Sequence, residues 1–373
     1  GSEPIEGGTV LVQNGKVVAA GRDVAIPAGV PTVDAKGKWV TPGLVVAITD
    51  IGLYDVEAVD DSNDTDADKN PFSASLDISQ AINPDAQHIK VSRAGGVTRA
   101  AIAPIGTKEI FGGQGAVIDL GGDPDPIVAA RAFQYVELGE TGAARAGGSR
   151  VAAWAELHNA LLEAKELSLA PAGPRRDDVM LTRRDAQALI PVVAGRQPLY
   201  VHVERVADIR MVLGLRKEFP LIKLAIVGAT EGWMVAGELA KAGVPVFATP
   251  LTDLPGSFEK LGATQSNVGR MKAAGVKVAL GAFFDQPRYA PQYAGNLVSL
   301  TKVPGATGLT WNQAFAAITS APAEALGMGD RFGSLRPGRA GDVVIWDGDP
   351  LEVTSGVAKV YIDGVEQSLK SHQ

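Results

Sequence analysis

The chain contains no cysteine, which excludes disulfides, thiolate metal sites and cysteine nucleophiles. It also contains no apolar run of the roughly 18 to 20 residues that a transmembrane helix needs, and no basic segment followed by an apolar one at its start. Basic residues are not in excess, since 35 Lys and Arg against 42 Asp and Glu give a net charge of −7. They are also scattered along the chain, so we expect neither a nucleic-acid nor a membrane partner.

What the chain does have is the composition of a globular protein with a large core. Its 373 residues are 46% hydrophobic and 21% charged. This length suits one large domain with an accessory domain. A small or neutral molecule is the expected partner, and a homo-oligomer is left open.

The two chain ends both read as β-structure. Residues 8–21 (GTVLVQNGKVVAAG) alternate apolar and polar side chains on either side of Asn14 and Gly15. Because Asn-Gly tolerates positive φ at both turn positions, this segment predicts a two-residue β-hairpin. Further strands are predicted at residues 342–346 (DVVIW) and 359–363 (KVYID). We therefore predict a discontinuous β-sandwich domain from residues 1–45 and 334–373.

Short apolar strands alternate with helical segments in residues 46–333, which is typical of βα units around a parallel sheet. Eight such strands predict an α/β fold, a (β/α)8 TIM barrel, whose active site would lie at the carboxyl ends of the strands. We expect residues 112–115 (GGQG) to form a tight connection of this barrel. The strands are predicted at residues 45–50, 97–103, 116–120, 133–138, 199–203, 224–227, 245–249 and 276–280.

Several segments resemble one known family. The run WVTPGLVVAITD at residues 39–50, the run YVHVERVADI at 200–209 and GATEGWMVA at 228–236 are similar to amidohydrolase sequences, as are GGQGAVI at 112–118 and GSLRPGRAGDVVIWDGDP near the end. The resemblance covers essentially the whole chain and is to the imidazolonepropionase-like and prolidase-like members of the amidohydrolase superfamily. It implies metal-dependent hydrolysis of a C–N bond in an amide, cyclic amide or dipeptide-like substrate.

The resemblance also implies a ligand set, of which only part is present. Family members bind one or two metals through a histidine pair on the first barrel strand, a strand-four lysine or glutamate, one histidine on each of strands five and six, and a strand-eight aspartate. His202 matches the strand-five ligand, and Asp285 matches the strand-eight aspartate, which also acts as the general base. Ile48 and Asp50 stand in place of the histidine pair, and Gly228 stands where a strand-six histidine is expected.

Glu137 is the carboxylate nearest the strand-four position, so the implied metal ligands are His202, Asp285, Asp50 and Glu137. Such an oxygen-rich set would suit Mn²⁺ or Mg²⁺ better than Zn²⁺. The cofactor is therefore one divalent metal (Zn, Mn or Mg) or none. With none, the chain is a catalytically inactive homologue that serves as a binding or interaction module.

Substrate contacts are predicted on the loops around the barrel mouth. Glu204 follows His202 closely and would face the mouth, either binding substrate or pairing with a neighbour. Arg288 and Tyr289 in the last loop are suited to a carboxylate or planar ligand. The cysteine-free composition, together with the frequent export of this subgroup, predicts a periplasmic or secreted protein, with the cytoplasm as the alternative.

Overall fold

The structure, a computed structural model, describes residues 3–370 except 57–58, 68, 105–107, 172, 174, 176 and 285. Its strands are built mainly from β-branched and aromatic residues, as expected for pleated and largely buried segments. In chain order they are β1 (Thr9–Gln13), β2 (Lys16–Gly21), β3 (Trp39–Pro42), β4 (Leu44–Thr49), β5 (Val97–Ile102), β6 (Phe111–Asp119), β7 (Ile127–Glu137), β8 (Leu199–Val203), β9 (Leu224–Gly228), β10 (Val246–Ala248), β11 (Val278–Phe284), β12 (Val343–Trp346), β13 (Val357–Ile362) and β14 (Val365–Glu366).

Eight of these strands close into a barrel in the order β10, β11, β4, β5, β6, β7, β8, β9. The predicted α/β barrel is therefore confirmed. One strand departs from the expected all-parallel arrangement, because β6 runs antiparallel to both β5 and β7. Among the described residues, no helix lies between β5 and β6 or between β6 and β7. The remaining neighbours are parallel, so their carboxyl ends meet at one end of the barrel.

Helices follow most of the parallel strands and cover the outside of the barrel. One of these helices begins after Thr182, whose hydroxyl caps it by accepting a hydrogen bond from the Asp185 amide at 3.1 Å. The helices are α1 (Gln87–Ala94), α2 (Gly139–Arg145), α3 (Arg150–Leu169), α4 (Arg183–Val193), α5 (Val206–Gly214), α6 (Ala236–Ala242), α7 (Asn267–Ala273), α8 (Ala290–Ser299), α9 (Trp311–Ala316) and α10 (Ser320–Ala325).

The barrel lumen is a packed core. Aromatic side chains from adjacent strands fill it, with the Phe133 and Tyr200 rings stacked at 4.3 Å between centroids and the Tyr200 and Phe247 rings 5.2 Å apart. Phe133, Tyr200 and Phe247 are all less than 2% exposed. Because side chains two residues apart on a strand share a face, polar residues that follow these aromatics toward the strand ends also face the lumen.

The GGQG segment lies inside strand β6, so the expectation of a tight connection was wrong. Glycine is required there by close packing. A Cβ at Gly115 would overlap the Phe133 ring, and one at Gly112 would lie 2.6 Å from the Pro104 carbonyl oxygen. The strand therefore approaches its neighbours more closely than a residue with a side chain would allow.

The chain ends meet beside the barrel. Strands β14, β13, β12 and β3 form one sheet in that order. The predicted hairpin is present, with positive φ at Asn14 (51°) and Gly15 (73°). It forms a separate two-stranded ladder and touches the C-terminal part through a bridge between Lys16 and Ala340.

Among the residues that the structure describes, no helix is both long and apolar enough to cross a membrane.

Candidate functional site

A row of polar side chains, formed by Glu137, His202 and Glu204, lies at the carboxyl ends of β7 and β8. Glu137 is the last residue of β7 and is paired in register with His202 on β8. Each follows a lumen-facing aromatic by two residues, Tyr135 in one strand and Tyr200 in the other. Strand alternation therefore brings Glu137 and His202 to the same face at the same height above the aromatic core.

Carboxylates occupy both edges of the His202 ring. Nδ1 lies 2.7 Å from Glu137 Oε2, and Nε2 lies 3.2 Å from Glu204 Oε1. Glu137 also accepts a hydrogen bond of 2.9 Å from the hydroxyl of Tyr135. Because a carboxylate only accepts, both imidazole nitrogens are in the position of donors, which is the arrangement of an imidazolium.

Glu204 is anchored from several directions and is only 1% exposed. Its Oε2 accepts a hydrogen bond of 2.8 Å from the Thr230 amide, and its Oε1 lies 3.2 Å from Lys260 Nζ. A Cβ at Gly228 would lie 2.8 Å from all three atoms of the Glu204 carboxyl group. Glu204 therefore fills the space that a side chain at Gly228 would need.

The contacts set the charge states in this row. Burial lowers the pKa of His202, but the charges and hydrogen bonds of Glu137 and Glu204 outweigh burial and raise it well above the usual value. Burial raises the pKa of Glu204, yet hydrogen bonding and charge from His202, with Lys260 and Thr230, lower it to about 2. Burial raises the pKa of Glu137, but the charge and hydrogen bond of His202, the hydrogen bond from Tyr135 and the charge of Arg145 together lower it below the usual value. The row therefore consists of charged groups at neutral pH.

The described residues do not fit a divalent metal as they are arranged. A metal ligand must offer a lone pair, and each His202 nitrogen faces a carboxylate instead. Glu137 and Glu204 stand at opposite edges of the imidazole, so the three side chains do not converge on one point. Within the described chain, no three histidine, aspartate or glutamate side chains form a group that could hold a metal ion.

The other predicted ligand positions are distributed around the mouth. Asp50 directly follows β4 and is 8% exposed, and β4 lies across the closed barrel from β8. Ile48 is fully buried against the lumen residues with φ of 60°, an uncommon conformation for a β-branched side chain. Asp285 lies outside the described residues.

The structure does not bring Arg288 and Tyr289 to this row. The Arg288 guanidinium donates to the Tyr289 hydroxyl at 3.1 Å and lies over that ring at 4.9 Å. Arg288 also packs against Gly95, which precedes the first residue of β5 and so lies toward the amino end of that strand. Their assignment to substrate binding stays a prediction.

Two residues of the site were not predicted from the sequence. Lys260 lies in a 3-10 turn, Phe258–Lys260, between β10 and α7, and no motif around it signals a role. Thr230 follows β9 and is 2% exposed, and its hydroxyl has no hydrogen-bond partner among the described residues. Both depend on tertiary contacts with Glu204, which strand patterns do not reveal.

Comparison with known proteins gives consistent matches. The model of the amidohydrolase family matches residues 203–366. Amidohydrolase tasK of Hapsidospora irregularis is 27% identical over 96% of this chain, which spans 40% of that protein's length. Imidazolonepropionase of Acidiphilium cryptum (strain JF-5) is 27% identical over 93% of this chain and 89% of its own length.

A solved structure agrees with these sequence matches. The amidohydrolase from Thermotoga maritima MSB8 superposes with a TM-score of 0.84 and is 27% identical, covering 96% of this chain and 94% of its own. The sequence segments, the barrel and these relatives agree, and together they support membership of the amidohydrolase superfamily, with imidazolonepropionases among the similar proteins.

Proposed function

We propose that this protein hydrolyses a C–N bond in a small amide, cyclic amide or dipeptide-like substrate at the carboxyl end of its barrel. The observation that carries the proposal is the 2.7 Å contact between His202 and Glu137 at the ends of two paired strands. Membership of the amidohydrolase superfamily supports the reaction class. The barrel end at which the row lies is where this architecture carries its active sites.

His202 is the proposed positioning residue of the site. Its contact with Glu137 fixes the orientation of the ring, as a carboxylate does for histidine in hydrolytic triads. Because both ring nitrogens face carboxylates, the imidazolium positions Glu137 and Glu204 and does not itself donate to the substrate. Glu204, with a pKa of about 2, is too weak a base to take a proton from water, so its role is to hold His202 in place.

Asp285 remains the predicted general base, which accepts a proton from the attacking water and passes it to the leaving nitrogen as the C–N bond breaks. Asp50, at the same barrel end, is a second carboxylate that could position that water. The buried Thr230 hydroxyl beside Glu204 would gain a partner from a ligand group or a water. Arg288 and Tyr289 stay predicted contacts for the distal part of the substrate.

A second candidate function is a binding module without turnover. It is favoured by Ile48, which offers no lone pair, and by Gly228, whose side-chain space is occupied by Glu204. In such a module, the row would bind a small ligand at the mouth without cleaving it.

An amine-release assay across a panel of amides, cyclic amides and dipeptides distinguishes the two candidates. We expect amine release from at least one class, lost in His202→Gln and Asp285→Asn. The matched control is His158→Gln, because His158 pairs with Glu218 at 2.7 Å on the exterior of the protein. Ligand-induced thermal stabilisation without any amine release would reject the hydrolase proposal in favour of the binding module.

A further inference from the structure

The side chain of Lys260 connects the buried row to the barrel mouth. Its Nζ lies 3.2 Å from Glu204 Oε1, the same oxygen that faces His202 Nε2. The Lys260 side chain is 31% exposed, whereas Glu204 is 1% exposed. The Lys260 ammonium therefore contacts a buried carboxylate from a side chain that is itself partly exposed.

Charge balance gives this lysine a specific role. Glu137 and Glu204 are two negative charges, and His202 supplies one positive charge, so the row without Lys260 carries a net −1. A buried carboxylate is strongly unfavourable unless it is paired. Lys260 makes the row neutral, and Glu204 is its one ion-pair partner within the described part of the chain.

The turn that carries Lys260 is held on both sides. Preceding it, Glu259 accepts a hydrogen bond of 2.7 Å from the Glu140 amide and is 6% exposed. Following it, the Gly262 amide donates to Glu231 at 2.9 Å, and the Trp233 indole donates to the Gly262 carbonyl at 2.9 Å. A cation on such a fixed turn is preorganised, which is what electrostatic stabilisation of a transition state requires.

We propose that Lys260 is the resident cation of this site, a catalytic residue whose ammonium takes the electrostatic role of a divalent metal. This inference rests on the proposed C–N hydrolysis. An ammonium has three donors; one faces Glu204, and another can donate to the substrate carbonyl oxygen. As water oxygen bonds to the carbonyl carbon, the C=O electron pair moves onto that oxygen beside Lys260. The predicted base Asp285 takes the water proton and passes it to the nitrogen when the C–N bond breaks.

The inference can be tested on the full chain without a known substrate. Wild type, Lys260→Met, Lys260→Arg, Glu204→Gln and the Lys260→Met/Glu204→Gln double variant are compared in chelator by thermal unfolding. Each is then titrated with ZnCl₂ and MnCl₂ by calorimetry. Lys241→Met is the matched control, because Lys241 is an exposed lysine in the last turn of α6.

We expect wild type to bind neither metal ion. Lys260→Met should lower Tm, since Glu204 then lacks its cation, while the double variant and Lys260→Arg should recover most of the loss. Lys241→Met should leave Tm unchanged. Two results would overturn the proposal: wild type binding one equivalent of metal that Lys260→Met also binds, or Lys260→Met unfolding at the wild-type Tm.

Once a substrate is found, kcat and KM distinguish a catalytic role of Lys260 from a purely structural one. Loss of one electrostatic donor lowers kcat by roughly 100-fold or more, so Lys260→Met should lose kcat with little change in KM. An unchanged kcat in a folded variant would remove Lys260 from the reaction. If no amide is cleaved at all, the proposed hydrolysis fails while the thermal and metal measurements still decide the identity of the resident cation.

Discussion

Single residues decide the chemistry of this barrel. Gly228 has φ of 88°, a conformation that side-chain-bearing residues rarely adopt. The absence of its side chain makes room for the Glu204 carboxylate, which in turn contacts His202 and Lys260. Gly228 and Glu204 are thus coupled, because the Glu204 carboxylate occupies the space that a side chain at Gly228 would need.

Because Glu204 occupies the space beside Gly228, adding a single methyl group at Gly228 should markedly lower the free energy of unfolding. Gly228→Ala should lower the free energy of unfolding by about 1–3 kcal/mol, because its Cβ meets the Glu204 carboxyl and the residue must hold positive φ. Denaturant unfolding measures this change.

Gly237→Ala is the matched control for that substitution. A Cβ at Gly237, in helix α6, would meet nothing within 4 Å, and alanine is favoured over glycine in a helix by roughly 0.5–1 kcal/mol. We therefore expect Gly237→Ala to be neutral or stabilising. Equal effects of the two substitutions would show that Glu204 does not occupy the space at Gly228.

At the scale of elements, strand positions were predictable from sequence and strand directions were not. The predicted strand at residues 199–203 coincides with β8 (Leu199–Val203), because apolar runs bounded by polar segments mark buried strands. The reversed direction of β6 depends on which neighbours its backbone pairs with. Residue periodicity carries no information on that pairing, so the antiparallel strand was missed.

In the candidate site too, local sequence patterns predict some positions, whereas contacts between distant segments are not predictable. Alternation along β7 and β8 places Glu137 and His202 on one face, and register brings them together. Glu204 and Lys260 join them through a β-strand end and a turn that are distant in sequence, and no local pattern predicts that contact. The family resemblance identified His202, while the carboxylates at both of its edges became visible only in three dimensions.

A partly buried aspartate, Asp119 at the end of β6, should make stability depend on pH. Burial raises the pKa of Asp119 from 3.8 to about 6, against a hydrogen bond from the Gly121 amide and the charge of Arg99. A carboxyl group whose pKa is raised by folding loses stability as pH rises between its unfolded and folded values. Asp119 therefore opposes folding increasingly from about pH 4 to pH 6.

Asp119→Asn should remove this dependence. We expect the Tm of the variant relative to wild type to rise between pH 4 and pH 6 and to level off above that, since the asparagine oxygen can still accept from Gly121. The exposed substitution Asp23→Asn serves as the comparison and should leave the profile parallel to wild type. A parallel profile for Asp119→Asn as well would contradict the assigned role of burial.

On the scale of the whole molecule, one buried arginine joins the barrel to the sheet formed by the chain ends. Arg99 on β5 donates from Nε and Nη2 to the two carboxylate oxygens of Asp342 at 2.7 and 2.8 Å. Its Nη2 also lies 2.8 Å from Asp363. The Arg99 and Asp342 side chains are 5% and 3% exposed, so the pair is inaccessible to screening by water.

Removing this connection should destabilise the protein strongly. Arg99→Leu leaves Asp342 buried and without its cation, and we expect a loss of about 3–5 kcal/mol in the free energy of unfolding. Arg210→Leu is the control, because Arg210 forms an ion pair of similar length, 2.7 Å to Glu238, with both side chains about half exposed. Exposed pairs contribute little, so denaturant unfolding should show a small change there. Similar losses for both variants would contradict the account.

The most direct test of the account is the protonation state of His202, read from ¹⁵N NMR of protein labelled at histidine. The chain has only four histidines, so His202→Gln identifies the signal. Because Glu137 and Glu204 face the two ring nitrogens and raise the pKa of His202, both nitrogens should be protonated at pH 7.5 and unaffected by added zinc. One unprotonated nitrogen whose signal shifts on zinc addition would show that His202 is a metal ligand and would contradict the account.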